Sequence, residues 1–341
     1  MKILVTGGAG FIGSHVVDAF RRTGIDVVCI DSLDPGVHTG PPGYLRSDVD
    51  YCFADLRRLN PDPRFDDVDV VVHLAALGGV SRAAREPLNV IDANCGGTAR
   101  LVEIARSWSR LRLVVLVSSF SVYGSKYAYR CSGCGHETDG SRVGSDLDAG
   151  RYEVTCRLCG MEAEILPITE LAQPNPLETY AASKYMQELC FRGFAQCPVS
   201  ILRLSSVYGP RLRLNDGEAT IIARIAGWVR AGQRPKLLED GRQIRDWVFV
   251  GDVVGAIQAL LDSPSAPSLV NICSGIRTSL AEACERVSEA FGVHCPPEIV
   301  GGYRPGDMRH CLGDPSAFKA LLGRDPLALK DGAPLAFNLG A

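Results

Sequence analysis

The first thirteen residues constrain the fold more than any other stretch. Lys2-Ile3-Leu4-Val5-Thr6 is a short apolar run that reads as a buried strand. Gly7-Gly8-Ala9-Gly10-Phe11-Ile12-Gly13 follows at once, and Ser14–Phe20 then has helical spacing. A strand feeding a glycine turn that opens a helix aims unpaired N–H groups and the positive end of the helix dipole at one place, which makes an anion site. Gly7 allows the tight turn, Gly10 lets a pyrophosphate reach the backbone, and Gly13 lets the helix lie close to the strand, with Phe11 and Ile12 in the same cradle. A second apolar run, Asp26–Ile30, ends in Asp31, at the distance where a carboxylate grips a ribose 2′-OH. Ser32 follows rather than Arg, which favours NAD over NADP.

Strands and helices then alternate. Asp50–Asp55 reads as a third strand, with Asp55 and Leu56 at the adenine edge or, for Asp55, simply in solvent. Val68–Ala76 is a fourth, ending in Leu74, Ala75 and Ala76, where small residues suit close approach of a cofactor, while His73 reads as a structural hydrogen-bonder. A helical stretch over about Pro87–Ser107 carries Asn94, also placed on the cofactor side. The fifth strand, Leu111–Val117, delivers Ser118–Gly124 to the carboxyl edge of the sheet, where ligands bind in open α/β folds. Tyr180 and Lys184 are four apart on one helix face. Val199–Leu204 is a sixth strand, and a helix is expected around Thr220–Arg230.

The pattern predicts an α/β fold: a Rossmann-type doubly wound parallel sheet with a smaller α/β substrate lobe. The expected domains are an NAD-binding domain over 1–204, interrupted by an insert over 127–164, and a substrate lobe over 205–341. About 249–273 is expected to return to the Rossmann side. With 341 residues, 46% of them hydrophobic, the chain is long enough for two lobes and a sizeable core. A formal net charge of −3 gives no reason to expect nucleic acid or an anionic membrane as partner. No apolar stretch has the length of a membrane span, and the chain opens directly on a core strand, so the cytoplasm is the expected compartment.

Four of the thirteen cysteines are organised. Cys131-Ser132-Gly133-Cys134-Gly135 and Cys156-Arg157-Leu158-Cys159-Gly160 form two C-x-x-C-G knuckles with 21 residues between them. Four thiolates at this spacing match a closed, structural zinc site, a zinc ribbon, with iron or two disulfides as the alternatives. The ribbon reads as a self-contained insert between the serine strand and the tyrosine helix, held by metal because it is too small for its own core. It would shape the substrate mouth or make a subunit contact.

Jointly, Thr6–Gly13, Asp31, His73-Leu74-Ala75-Ala76, Ser119, Tyr180 with Lys184, Tyr208-Gly209-Pro210 and Arg245–Val250 resemble the extended short-chain dehydrogenase/reductase superfamily, and within it the nucleotide-sugar epimerases and dehydratases. The resemblance covers nearly the whole chain outside the cysteine segment. Asp31–His38, the two knuckles and Tyr303–His310 resemble in particular the bacterial dTDP-L-rhamnose 4-epimerase group.

The resemblance implies that Tyr180 takes a sugar hydroxyl proton, that Lys184 and the nicotinamide ring lower its pKa, and that Ser119 positions the same hydroxyl. It also implies an NDP-sugar substrate, with Ser119, Ser121, Ser206, Arg245, Arg304 and Asp307 around it and the two arginines on the pyrophosphate. Ser206 departs from the Asn that related epimerases carry, and Arg309 is a weaker substrate candidate. Look-alike dehydratases carry Asp-Glu after the serine, and decarboxylases keep the Glu. Here those positions are Phe120 and Ser121, which cannot serve as acid or base. The residues therefore favour 4-epimerisation. Dehydration, decarboxylation and a non-catalytic NAD-binding protein with a ribbon-bound partner are the alternatives. The resemblance also implies a homodimer through the helices after Pro87 and around Tyr180.

Overall fold

The computed structural model describes residues 1–124, 128–214, 220–263, 265–304 and 306–337. Tyr127, the expected first residue of the insert, Pro305 in the Arg304–Arg309 stretch, and the last expected lobe residues up to Ala341 lie outside the described residues. In chain order the elements used below are β1 (Lys2–Thr6), α1 (Phe11–Arg22), β2 (Asp26–Asp31), β3 (Asp50–Phe53), β4 (Val70–His73), α2 (Val80–Arg85), α3 (Pro87–Ile91), α4 (Gly97–Ala105) and β5 (Leu113–Ser119). They continue with β6 (Ala128–Cys131), β7 (Glu137–Asp139), α5 (Gly144–Asp148), β8 (Ala163–Ile165), α6 (Thr179–Arg192), β9 (Val199–Leu204), α7 (Ile221–Arg230) and α8 (Val250–Asp262).

The main sheet has seven strands, in the order Leu269–Ile272, β9, β5, β4, β1, β2, β3. From β9 to β3 every pairing is parallel, with Thr6 opposite His73 and Ser119 opposite Leu204. The strand order reverses between β1 and β4. That reversal puts the glycine turn after β1 and Leu74–Ala76 after β4 at the crevice where doubly wound sheets bind ligands. The central strands β1, β4 and β5 are rich in Val, Ile and Leu because helices cover both faces of a parallel sheet.

The chain divides into two compact units. Unit 1 comprises Met1–Val122, Pro176–Leu204 and Val250–Val270; unit 2 comprises Tyr123–Asn175, Ser205–Phe249 and Asn271–Ala341. In unit 1, Leu4, Ile30, Val71 and Leu116 join Phe65, Trp108 and Phe191 in one buried cluster. Each such side chain contributes about 1.5–3 kcal/mol over an exposed one. The helix expected over Pro87–Ser107 is broken: α3 gives way to a single π-helical turn over Asp92–Gly96 before α4 begins. The extra residue in that turn lets Asn94 face inward, where Oδ1 accepts from Leu77 N–H (2.7 Å) and Nδ2 donates to Ser183 Oγ (2.9 Å). The α6 helix starts where Glu178 accepts from the N–H groups of Tyr180 and Ala181, both at 2.7 Å.

Unit 2 has its own core of Tyr208, Ile225, Trp247, Val287, Leu329 and Phe337. Gly332 is required there, since a Cβ would stand 2.0 Å from the Tyr208 hydroxyl. The cysteine segment is a three-stranded antiparallel sheet in the order β7, β6, β8. Tyr129, Val154 and Ile165 are buried. Charged side chains of the expected insert also pair with residues outside it. Glu153 pairs with Arg309 and His310, and Arg142 pairs with Glu239, all within unit 2. A 38-residue expectation built on local spacing had no means of finding partners so far along the chain.

Candidate active site and metal centre

The turn after β1 is shaped by what its glycines lack. Gly7 has φ +73°, and a Cβ there would lie 2.9 Å from the Ala75 backbone nitrogen. At Gly13 a Cβ would lie 2.0 Å from the Gly7 carbonyl oxygen, so the start of α1 rests directly on the turn. Asp31, at the end of β2, accepts from Ala9 N–H (2.9 Å) and Leu33 N–H (2.9 Å) and so holds the turn in place. Phe11 and Ile12 begin α1, whose first N–H groups have no partner inside the helix. Leu74 and Ala75 hang from Thr6, through its carbonyl and its hydroxyl. Gly10, which precedes α1, donates to the Gly7 carbonyl at 3.1 Å. Ala76 continues the strand end and Leu56 is buried in the core. The Asp55 carboxylate is engaged by Arg57 through its backbone and guanidinium. Asn94 is likewise committed to protein partners, as described above.

Ser119 at the end of β5 bonds Tyr180 on the first turn of α6, and Lys184 follows one turn later on the same helix. Ser121 donates to Ser119 Oγ through its N–H (3.1 Å) and its hydroxyl (3.0 Å). With both acceptor positions of Ser119 taken, its own proton is directed to its hydrogen-bond partner, the Tyr180 oxygen. Tyr180 packs against Leu77, Ala83 and Val90. Burial pushes its hydroxyl up to about 12, while Ser119 pulls it partly back and the Glu178 charge adds to the rise. The expected lowering by Lys184 is not found in the protein itself. Lys184 Nζ is turned to the Val117 carbonyl (2.7 Å) and Gln187 Oε1 (2.5 Å), and burial pushes it down to about 8.

Gln187 is a residue that sequence reasoning missed. Its amide donates to Thr98 Oγ1 (2.7 Å), and Thr98 donates to the Asn94 carbonyl (2.6 Å). The Thr98 proton being spent, His73 Nε2 must carry a proton and donate to Thr98 at 2.8 Å. His73 Nδ1 then accepts from Thr6 at 2.6 Å. Burial, then the Lys184 charge, pushes His73 down to about 3, so it stays neutral. Its expected structural role is the one observed. The result is a continuous chain Thr6–His73–Thr98–Gln187–Lys184 that fixes the lysine against β1, β4, α4 and α6. A glutamine one turn from a lysine was visible in the sequence, but its partners were not.

In unit 2, Arg245 donates to the carbonyls of Ile244 (2.8 Å), Arg309 (3.0 Å) and Met308 (3.2 Å). Arg304 and Asp307 are exposed on the same late segment, and Ser206 is half-buried with its N–H on the Asp246 carbonyl. Arg309 is fully buried between Glu153, Glu239 and Asp240, which makes it structural. Two further residues were missed. Arg224 on α7 lies over the Trp228 ring at 5.1 Å, and burial and the Arg304 charge lower its pKa, so two like charges share one neighbourhood. Asp246 is buried and accepts from Ser274 N–H (2.6 Å), Ser274 Oγ (2.8 Å), Gly275 N–H (3.0 Å) and Gly313 N–H (3.1 Å). Burial outweighs those donors and pushes it up to about 6.

The four knuckle sulfurs all lie within 4.8 Å of one another. Cys131 and Cys159 are 3.3 Å apart, Cys134 and Cys156 3.7 Å, Cys134 and Cys159 3.6 Å, and none of the four is disulfide-bonded. A tetrahedron of ~2.3 Å metal–sulfur bonds has edges of about 3.8 Å, so the spacing suits a metal. Backbone N–H groups point at sulfur from Gly133 (3.4 Å) and Leu158 (3.4 Å). The Cys134 N–H draws Cys131 down to about 6, whereas at Cys159 the Met161 N–H is outweighed by the neighbouring thiols, which push that thiol up to about 12.

A family model for the NAD-dependent epimerase/dehydratase family matches residues 3–139 and 152–273. The chain belongs to this family. It is 32% identical to a dTDP-L-rhamnose 4-epimerase of Burkholderia thailandensis over 95% of this chain and 90% of that protein. Among solved structures it resembles a UDP-glucose 4-epimerase of Thermotoga maritima bound to UDP-glucose, with 26% identity, a TM-score of 0.78, and 99% and 98% of the two chains covered. It also resembles a UDP-glucose 4-epimerase of Thermus thermophilus in complex with NAD, with 27% identity, a TM-score of 0.75 and the same coverage. The relatives differ in the nucleotide and sugar they are named for. The epimerase/dehydratase match skips residues 140–151, between the two knuckles, and stops at 273, before Arg304–Arg309.

Proposed function

We propose that this epimerase/dehydratase inverts C4 of an NDP-sugar, with a dTDP-6-deoxyhexose such as dTDP-L-rhamnose as the favoured substrate. One observation carries the reading. Ser119, Tyr180 and Lys184 are assembled at the strand end, while the two positions after the serine hold buried Phe120 and the hydrogen-bonding Ser121. Glu178, the acid that acts on Tyr180, is bound to two backbone N–H groups. Elimination therefore lacks its acid and base, whereas oxidation and re-reduction at one carbon does not need them.

The glycine cradle and Asp31 fit NAD, because any side chain at Gly7 or Gly13 would fill the cradle. Bound there, NAD would accept the C4 hydride and return it to the opposite face of the 4-ketosugar. Tyr180 takes the C4 hydroxyl proton in the oxidation and gives it back in the reduction. At about 12 it needs added positive charge to ionise near neutral pH. The nicotinamide ring of bound NAD and a Lys184 ammonium turned towards Tyr180 would supply that charge, and Ser119 would position the sugar hydroxyl by giving up one of its bonds from Ser121. Arg245 and Arg304 would neutralise the pyrophosphate, with Arg224 adding a third positive charge. Asp307 would sit at the nucleoside ribose. Incubation with a panel of dTDP- and UDP-sugars, followed by NMR, is expected to show inversion at C4. Loss of water or of CO₂ instead overturns the reading.

The four cysteines would hold a structural zinc, closed by sulfur and without a catalytic position. Metal analysis is expected to give about one zinc per chain. Leu88 and Ile91 on α3 and Met186 on α6 expose apolar surface, which supports a homodimer through these helices. Thirteen free cysteines fit the reducing cytoplasm. No helix among the described residues is long and apolar enough to cross a membrane.

A further inference from the structure

The segment between the two knuckles, 140–151, is what the family match leaves out, and its side chains do not stay within the ribbon. Arg142 donates to Glu239 Oε1 (2.8 Å) and to the backbone carbonyl of Asp307 (2.8 Å). Asp148 accepts from the Tyr303 hydroxyl at 2.8 Å. Glu153, three residues before Cys156, accepts from Arg309 (2.5 Å) and bonds His310 Nε2 (2.9 Å). Glu239 in turn accepts from Arg309 at 2.6 Å, which closes a buried loop of alternating charge from the ribbon to the late segment and back.

These contacts hold Tyr303 on one side and Asp307, Arg309 and His310 on the other, among the described residues 303–304 and 306–310. Within that stretch the side chains of Arg304 and Asp307 are exposed. Arg309 and Met308 also offer their carbonyls to Arg245. The ribbon thus holds Tyr303 next to Arg304, the Asp307 carbonyl, and Arg309, whose carbonyl helps to orient Arg245. Buried ion pairs of this kind contribute little net stability but enforce one geometry.

We infer that the metal ribbon is the positioning device for the nucleotide-binding segment 303–310, with Arg142 and Glu153 as the positioning residues, so that metal occupancy sets affinity for the nucleoside diphosphate. This rests on the reading of Arg245, Arg304 and Asp307 as nucleotide contacts. It assigns the ribbon a role in substrate binding rather than in catalysis, and it predicts that affinity and turnover separate.

The test is calorimetric titration of the NAD-loaded protein with dTDP and with UDP, beside NAD content, KM and kcat. Arg142→Ala is expected to weaken nucleotide binding and raise KM by about tenfold, the size of a lost charge-assisted hydrogen bond. NAD content stays unchanged and kcat stays within about twofold. Arg142→Lys keeps the charge but not the fork and recovers part of the loss. Metal-stripped protein is expected to lose nucleotide affinity to a similar degree while keeping NAD. Should Arg142→Ala fail to fold, Tyr303→Phe removes the outer tie alone and is expected to cost about threefold in nucleotide affinity. Unchanged affinity in the Arg142 variant, or in metal-stripped protein, overturns the inference. A wild type that binds dTDP or UDP but inverts no sugar overturns the 4-epimerase reading alone.

Discussion

At Tyr180 the surroundings hold the proton on rather than drawing it off. Burial outweighs Ser119, and Lys184 is drawn away by Gln187 and the Val117 carbonyl. Tyr180→Phe is expected to leave NAD bound and cut turnover by about a thousandfold, measured on the NAD-loaded protein with its sugar nucleotide. Gln187→Leu tests the tether. It leaves the Lys184 ammonium and the Thr98 hydroxyl each short of a partner, so kcat is expected to fall about tenfold and stability by about 1–3 kcal/mol, read from urea unfolding. The proposed catalytic and cofactor residues could be nominated from the sequence because their chemistry demands fixed types at fixed spacing: glycines in a turn, Asp31 at the end of β2, Tyr180 and Lys184 one turn apart. Gln187, Arg224 and Asp246 were not. Their meaning lies in partners such as Thr98 and Gly313, far away along the chain, and no local pattern encodes such a pair.

Elements show the same division. Strands β1, β2 and β9 follow from their apolar runs nearly residue for residue, since a strand buried on both faces has no other composition open to it. The π turn over Asp92–Gly96 was invisible, because helical spacing around it is intact and only the inward pull of Asn94 on Leu77 and Ser183 requires the extra residue. The tie between β1, β4 and α4 predicts acid sensitivity. His73 sits at about 3 in the folded protein against ~6.5 unfolded, so protonation favours unfolding. Stability is therefore full above pH ~6.5 and falls as the pH drops towards 3, by up to about 1.4 kcal/mol per pH unit. His310, also pushed down by burial, acts in the same direction, whereas Glu153, held at about 2, contributes only below the ordinary carboxylate range. Urea midpoints measured between pH 7 and 5 are expected to fall with a shallower slope in His73→Asn than in the wild type. Equal slopes would remove His73 from the account.

For the whole molecule, alternation of strand and helix was enough to specify a parallel, doubly wound main sheet, since parallel strands need crossover helices. How the remaining segments gather was not legible. Unit 2 is drawn from three separate stretches of chain, and hydrophobic spacing says nothing about which stretch a buried arginine will meet. Association is testable at this scale. Leu88, 80% exposed on α3, changed to Asp is expected to give a monomer by light scattering, with fold and NAD content kept; a dimer that persists would place the contact elsewhere. The pairing of Glu153 with Arg309, 156 positions later, also orders events at the ribosome. At roughly 5–20 residues per second, the ribbon emerges several seconds or more before the arginine that neutralises it exists. Through that interval the ribbon has its own sheet and the proposed metal, but not Arg309, to keep its shape. If the four cysteines hold the proposed zinc, zinc supply during translation, more than afterwards, is expected to govern how much of this protein a cell recovers in folded form.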